Sequence, residues 1–307
     1  MILLGILASS GAGVVVVGVA GYFAGGESPG TYFVTVDKFA FSNDSRSTLA
    51  TGLSSARGYA TGMSNQGVAG YVAGGNGASR VATVDKFAFP ADSRTTLGTG
   101  LSAARTGVSG MSDSDVAGYV AGGTEASQVT TVDKFAFPAD SRTTLGTGLS
   151  NACNWSCGVS NQNSAGYILG GALAVGTRLG TIDKFAFPSD TKSTLAATLS
   201  INRRFPAGMS DSGVAGYAAG GQNGTILTTV DKLSFSAETI STLGTGLSAA
   251  TYAAGGMSNS GVAGYVGGNE PATATVQKFS FPSDTRSTLG TGLSSARYVS
   301  EGFQDGF

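Results

Sequence analysis

Histidine is absent from the 307-residue chain, and charged side chains make up only 12% of it. The protein therefore lacks the commonest general base and the commonest zinc ligand. Its 18 Lys and Arg residues nearly balance its 19 Asp and Glu residues, so the net charge is −1. A chain with this balance lacks the excess of positive charge that is typical of proteins that bind nucleic acid or an anionic membrane. We expect no metal, no cofactor and no nucleic-acid partner.

Cysteine is also scarce, with two residues, Cys153 and Cys157, only four positions apart. Residues four apart on one strand are separated by about 13 Å, which is too far for a disulfide. A disulfide framework is excluded as the basis of the fold. We expect two small, partly buried thiols rather than a redox or metal site.

The first 26 residues carry no charge, and on hydropathy alone Ile2–Ala24 could span a bilayer. However, Val14–Gly26 matches the internal repeat described next. The remaining Met1–Gly13 is too short to span and lacks the basic region of a signal peptide. We expect no membrane insertion and assign residues 1–13 to an N-terminal arm that can pack on a partner. A degenerate secretion signal stays open as the alternative.

Glycine is abundant instead, with 49 residues, and many of them belong to a repeat. A Gly-Tyr pair, mostly within strings such as "GVAGYVAGG", recurs every 48 to 50 residues. The tyrosines of the six copies are Tyr22, Tyr71, Tyr119, Tyr167, Tyr217 and Tyr265. A period near 50 is typical of a propeller or a solenoid.

One unit, Arg105 to Ala152, predicts four strands separated by turn residues. The predicted strands are a, Arg105–Met111; b, Val116–Gly123; c, Thr130–Phe137; and d, Thr143–Ser150. In strand c, Phe39 and Phe41 share one face, which predicts an aromatic anchor for the neighbouring unit. The turns between c and d carry an Asp and an Arg or Lys in most copies, which predicts a solvated, self-neutralising surface.

This pattern resembles the kelch repeat, in which an Arg-led strand precedes an apolar strand that ends in Gly-Gly. The resemblance covers essentially the whole chain, and the Gly-Gly doublet after the tyrosine is its most specific part. It departs in strand d, where kelch repeats usually carry tryptophan and this chain has leucine. The implied fold is an all-β, six-bladed kelch-like propeller of four-stranded antiparallel blades over residues 14–307.

Both ends of the chain offer a strand a for the same blade, Ala8–Val14 and Arg297–Phe303. We predict that the C-terminal segment pairs with Val19–Gly26 and closes the ring. The reverse assignment is the alternative.

Differences between the copies are concentrated in the b–c loops and at the start of strand a. In a four-stranded blade these segments lie on one side, so we predict a variable face and, opposite it, a uniform face. Aromatic and arginine side chains on a surface suit carbohydrate or protein recognition. The candidate ligand-binding residues are Arg57, Tyr59, Arg105, Trp155, Arg203, Phe205, Tyr32, Arg80 and Arg178. The arginines that lead strand a have an alternative structural role, in which they bond loop carbonyls between blades.

No catalytic constellation emerges, because the serines lack a base and the arginines lack the matched Tyr and Glu of a sialidase. We predict a non-enzymatic structural and recognition protein of an extracellular assembly. The "DKFAF" strand and its turn resemble repeats of phage and environmental-virus structural proteins, which favours a virion: a tail fibre, spike or capsid decoration. Its partners would be other proteins of that assembly and host surface glycan. The alternative is a secreted or cell-surface propeller, lectin-like or sialidase-like.

Overall fold

Six four-stranded antiparallel sheets surround a central axis in the computed structural model, which describes residues 18–174 and 176–306. We number the blades I to VI in chain order and letter their strands a to d from the axis outward. Each strand a contacts the strand a of both neighbouring blades, so the six strands line the axis. The predicted all-β, six-bladed propeller is confirmed.

The strands occupy equivalent positions in all blades, and we give each set from blade I to blade VI. The a strands are Glu301–Gln304, Thr61–Asn65, Ser109–Asp113, Cys157–Asn161, Ala207–Asp211 and Gly255–Asn259. The b strands are Ala20–Ala24, Ala69–Ala73, Ala117–Ala121, Ala165–Leu169, Ala215–Ala219 and Ala263–Gly267. The c strands are Val36–Ala40, Val84–Ala88, Val132–Ala136, Ile182–Ala186, Val230–Ser234 and Val276–Ser280. The d strands are Ser45–Thr48, Ser93–Thr96, Ser141–Thr144, Thr191–Thr194, Ile240–Thr242 and Thr285–Thr288.

Two b–c loops contain short hairpins, Glu27–Ser28 with Thr31–Tyr32 and Gln222–Asn223 with Thr225–Ile226. Within the described part of the chain, no helix is long and apolar enough to cross a membrane.

The C-terminal segment closes the ring, as predicted. Glu301–Gln304 pairs antiparallel with Ala20–Ala24 and so supplies strand a of blade I. The Asp305 carboxylate accepts hydrogen bonds from the backbone N–H groups of Val19 and Ala20 at 2.6 and 2.9 Å. These bonds hold the C-terminal segment against the start of strand b of blade I. The predicted N-terminal arm, residues 1–13, lies outside the described residues.

The predicted bounds of strands a and d were wrong by several residues. In blade III, strand a begins at Ser109 rather than Arg105, because Gly107 has a φ of +66° and interrupts the extended chain. Strand d is Ser141–Thr144 rather than Thr143–Ser150. After Thr144 the chain bends through Gly146 and Gly148 and keeps only isolated backbone bonds to strand c.

Glycine is required at the second residue of every strand a. These residues are Gly62, Gly110, Gly158, Gly208, Gly256 and Gly302. A Cβ atom on any of them would overlap the carbonyl oxygen of its counterpart in the preceding blade. The six strands can therefore converge only where side chains are absent.

The tyrosine of the Gly-Tyr pair joins each blade to the next. The Tyr71 ring stacks on Phe137 of blade III, with 5.0 Å between ring centroids. Its hydroxyl donates to Asp140, in the c–d turn of blade III, at 2.8 Å, and Lys86 binds the same carboxylate at 2.6 Å. The predicted aromatic anchor is confirmed. The predicted self-neutralising turn was wrong, since Asp140 pairs across the blade interface while Arg142 of the same turn lies 3.6 Å from Asp133.

Four blades contain a buried ion pair between the arginine that leads strand a and the aspartate of strand c. The pairs are Arg57 with Asp85, Arg105 with Asp133, Arg203 with Asp231 and Arg297 with Asp37, at 2.5 to 2.9 Å. All of these side chains have an exposure of 0%. The aspartate of each pair also accepts a hydrogen bond from the backbone N–H of a serine in the d–a connection. This bond links the blade to its predecessor.

The hydrogen bonds around Asp85 and Asp133 lower the pKa values of these two carboxylates. Burial opposes ionisation of Asp85, but bonds from Ser54 and Thr96 and the charge of Arg57 outweigh it and lower the pKa of Asp85. In blade VI both charges are absent, because Thr251 and Gln277 occupy the two positions. Gln277 still accepts the N–H of Ser248 at 2.7 Å. The repeat therefore contains a neutral version of the same contact.

We predict that Arg57→Thr lowers the free energy of unfolding by about 3–5 kcal/mol, because it leaves Asp85 buried without its cation. The double variant Arg57→Thr, Asp85→Gln copies the neutral pair of blade VI and should recover most of that loss. Urea unfolding followed by circular dichroism measures both.

The control is Arg94→Gln, since Arg94 approaches the same carboxylate at 3.6 Å from a partly exposed position. This variant should lower the free energy of unfolding by at most about 1 kcal/mol. If the double variant were less stable than Arg57→Thr, the buried charge would not be the source of the loss.

Candidate functional site

A closed ring of six backbone hydrogen bonds surrounds the axis on the variable face. Its members, which we call the axial ring, are Tyr59, Gly107, Trp155, Phe205, Ala253 and Val299. Each N–H donates to the carbonyl oxygen of the counterpart in the preceding blade, at 2.5 to 3.2 Å. All six have a φ between +46° and +66°, a strained region for residues with side chains. The ring of backbone bonds holds the residues there.

The large side chains of the axial ring meet above the axis. Trp155 and Phe205 stack with 4.7 Å between their centroids. Tyr59 and Tyr252 approach Phe205 from two further positions, at 6.1 and 6.0 Å. Such contacts stabilise a rigid aromatic cluster by about 0.5–1.5 kcal/mol per pair beyond area burial.

A cavity of about 430 Å³ opens over this cluster, and we call it the basin. Its aromatic lining is Tyr32, Tyr59, Trp155, Phe205 and Tyr252. Its polar lining is Asn76, Arg80, Thr106, Arg204 and Glu270. The b–c loops and d–a connections that supply these residues are bridged to each other, as at Gly58 with Asn76, so they share one face. The volume lies within the range of small-molecule sites, about 300–1,000 Å³.

Five of the nine residues predicted to bind a ligand come together in the basin: Tyr32, Tyr59, Arg80, Trp155 and Phe205. Arg178 is not part of the lining; it donates to the Gly176 carbonyl at 2.8 Å and lies near Arg204.

The other three predicted residues, Arg57, Arg105 and Arg203, lie in the buried ion pairs and expose no side-chain surface. Direct ligand contact does not fit that burial, and we correct their assignment to the structural alternative. They do bond carbonyls, but within their own blade rather than between blades as that alternative expected, for example Arg105 to Gly122 at 2.9 Å in blade III.

Arg204 and Tyr252 were missed by the sequence analysis. Both occupy the position directly after the residue that leads strand a, where the other blades have Gly58, Thr106, Asn154 and Tyr298. The divergence of this position among the copies was the available signal. It identifies a variable position but not the direction of its side chain.

Arg204 is held in a fixed orientation. Its Cζ lies 5.0 Å from the Trp155 ring centroid and 5.7 Å from that of Phe205. Its Nε donates to Gln222 Oε1 at 2.9 Å. Burial and the charge of Arg178 lower the pKa of Arg204 from its ordinary value of 12.5, which leaves it a cation at neutral pH.

Burial raises the pKa values of the Tyr59 and Tyr252 hydroxyls, which therefore stay protonated. Partial burial and the neighbouring Glu270 carboxylate raise the pKa of Tyr252 to about 12. Across the basin, Asn76 Nδ2 donates to the Tyr32 hydroxyl at 3.0 Å, which orients that group. The basin therefore presents neutral hydroxyls, an amide and charged groups beside aromatic rings.

A smaller cavity of about 70 Å³ lies against the axial ring and shares lining residues with a polar axial cavity of about 120 Å³. Glu301 lines both, at a position where the other blades carry Thr, Ser, Cys, Ala and Gly. Ser300 Oγ is buried there without a hydrogen-bond partner among the described residues. Burial raises the pKa of Glu301 well above its ordinary value, and no Lys or Arg lines either cavity.

The remaining reactive groups offer little chemistry. Cys153 and Cys157 are buried free thiols, and burial raises their pKa values to about 11 and 12. Thiols in this state are poor nucleophiles at neutral pH. Among the described residues, no group of three or more Cys, Asp or Glu side chains is arranged to hold a metal.

Fold and site together define a six-bladed β-propeller with an aromatic basin on one face. No protein-family model matches the chain. A comparison with curated proteins found no match either.

We predict that Glu301→Gln stabilises the protein at neutral pH. Because the folded-state pKa of Glu301 is raised, its favourable contribution is complete below about pH 4.5, the ordinary value, and is lost as the pH rises. The melting temperatures of the parent protein and the variant should therefore coincide at low pH. As the pH rises, the variant should melt at an increasingly higher temperature than the parent. Calorimetry between pH 4 and 9, roughly the span over which a raised carboxyl pKa acts, measures this.

The control is Thr61→Ser, at the position of blade II equivalent to Glu301, where no titratable group is removed. It should leave the difference from the parent protein nearly constant across the same range. A parallel pH dependence in the two variants would show that Glu301 is not the group responsible.

Proposed function

We propose that the protein is a non-enzymatic recognition protein that binds carbohydrate in the basin. The observation that carries this proposal is the combination of five aromatic side chains with hydroxyl, amide and charged groups in one concave site. Sugar rings present apolar C–H surfaces for aromatic rings and hydroxyl groups for polar side chains. A mostly apolar cleft with a few convergent polar groups is the usual form of a small-molecule site.

A binding role fits the carboxylates better than hydrolysis does. Glycoside hydrolases use two carboxyl groups about 5–9.5 Å apart across the scissile bond. Glu270 is the one carboxylate among the described residues that line the basin. Glu301 lines the cavities on the axis and is not part of the basin lining. These placements favour recognition over hydrolysis by a pair of carboxyl groups.

We further propose that the propeller is a structural component of an extracellular assembly, with its uniform face turned toward neighbouring proteins. Five valines that precede strand b are 37% to 69% exposed on that face: Val19, Val68, Val116, Val214 and Val262. The same apolar side chain therefore recurs at one position in five of the six blades, which gives this face a regular set of apolar contact points. The kelch-like repeat and the likeness of its "DKFAF" strand to virion proteins support a tail fibre, spike or capsid decoration.

We predict that Trp155→Gly weakens sugar binding about tenfold or more, the order of effect of an aromatic hot spot. Gly107 already occupies the equivalent position in blade III, so the axial ring accepts glycine there. A glycan array selects the ligand, and titration calorimetry then compares the variants.

Ala253→Gly makes a change at the same ring without removing an aromatic side chain, and it should bind like the parent protein. Failure of every arrayed glycan to bind would overturn the carbohydrate proposal. Full binding by Trp155→Gly would place the sugar outside the basin.

The assembly is tested by immunogold electron microscopy of the native source, with antibody to the recombinant propeller. We expect gold at a fixed position on particles, and that position separates a tail from a capsid location. Diffuse label in the medium or on cell envelopes would overturn the virion proposal and favour a secreted lectin.

A further inference from the structure

The guanidinium of Arg204 is preorganised but only partly used. Stacking over Trp155 and the bond from Nε to Gln222 fix its plane. Its two Nη groups donate no hydrogen bond to any of the described residues. Such a planar fork of free donors matches the two oxygens of a carboxylate, and the bonds it makes are charge-assisted.

A second cation lines the same basin. Arg80, from the b–c loop of blade II, is exposed and lies in the lining with Arg204. Arg178 is close enough to Arg204 to affect its pKa. The basin's carboxylate, Glu270, interacts with the Tyr252 hydroxyl and also with the charge of Arg204, so it offsets one of these cations. The chain as a whole has a net charge of −1, so this local excess of positive charge is not a consequence of composition.

We infer that the basin selects acidic sugars, with a carboxylate of the ligand bound by the Nη groups of Arg204. The inference rests on the proposed carbohydrate function and names its ligand class. Arg80 adds attraction from the opposite part of the lining. Tyr32 and Asn76 remain available for the hydroxyl groups of the sugar, because their mutual bond leaves further donors and acceptors.

The test uses ligand pairs that differ only in charge: 3′-sialyllactose with its methyl ester, and a methyl glucuronide with its methyl ester. Binding is measured by ligand-observed NMR and calorimetry. We expect at least one acid to bind roughly tenfold to a hundredfold tighter than its ester, the range of a hydrogen bond to a charged group. Arg204→Gln should remove this preference and leave the weaker affinity for the ester unchanged.

Arg94→Gln is the matched control, since it removes one arginine charge from strand d, away from the basin. Arg204→Lys keeps the charge without the planar fork and should lose most of the preference. Circular dichroism and melting temperature establish that each variant is folded.

The outcomes separate the two proposals. Equal binding of acid and ester would overturn acidic-sugar selection and leave the carbohydrate function standing. Binding of sulfated sugars alone would also overturn it, because the anion would not be a carboxylate. Absence of binding by every sugar tested would overturn the carbohydrate function itself.

Discussion

The convergence of six strands on one axis is the constraint on which the rest of the structure depends. At the second residue of each strand a, the backbone of one blade lies so close to the next that only glycine fits. This approach places the starts of the a strands side by side on the variable face. There the N–H of each axial-ring residue meets the carbonyl of its neighbour and a closed hydrogen-bonded ring forms. The basin sits on that ring, so the packing at the axis determines where its aromatic side chains lie.

The repeat separates residues that hold the blades from residues that define the face. Asp140, Lys86 and Tyr71 form one contact between blades, and its equivalents recur around the molecule. The buried arginine pairs recur in four blades. Arg204 and Glu301 each occur once among the equivalent positions. The charged residues of these recurring contacts are structural, whereas Arg204 and Glu301, which break the repeat, line cavities.

Much of the architecture was predictable from the sequence because the repeat encodes it locally. Period, strand number and the division into two faces follow from turn residues, alternation and loop lengths. Ring closure by Arg297–Phe303 was predicted, but the repeat pattern left Ala8–Val14 as the alternative and only the structure decided between them. The bounds of strand d could not be predicted in this way. The regular strand pairing stops before a Gly-Thr-Gly bend, but the leucines on both sides of the bend still bond the backbone in and next to strand c. The role of Arg57 was ambiguous for a similar reason. The sequence pattern is the same whether the arginine side chain pairs with Asp85 in the interior or points to solvent. Only the fold distinguishes these two placements.

The axial ring also explains how one face can diverge while the fold stays constant. Its residues are positioned by bonds between backbone atoms, and a backbone bond does not depend on side-chain identity. Gly107, Ala253, Val299 and Trp155 all adopt the same conformation within it. For residues other than glycine that conformation is strained by about 1–3 kcal/mol, and the ring must offset that cost. The same scaffold accepts glycine and tryptophan, so the backbone does not fix which blades carry an aromatic side chain. Neighbouring positions are nevertheless coupled through their side chains, since a Cβ atom on Gly107 would lie 2.7 Å from Cδ1 of Trp155. The aromatic lining of the basin can therefore change by substitution in the axial ring without altering the contacts that hold the blades together.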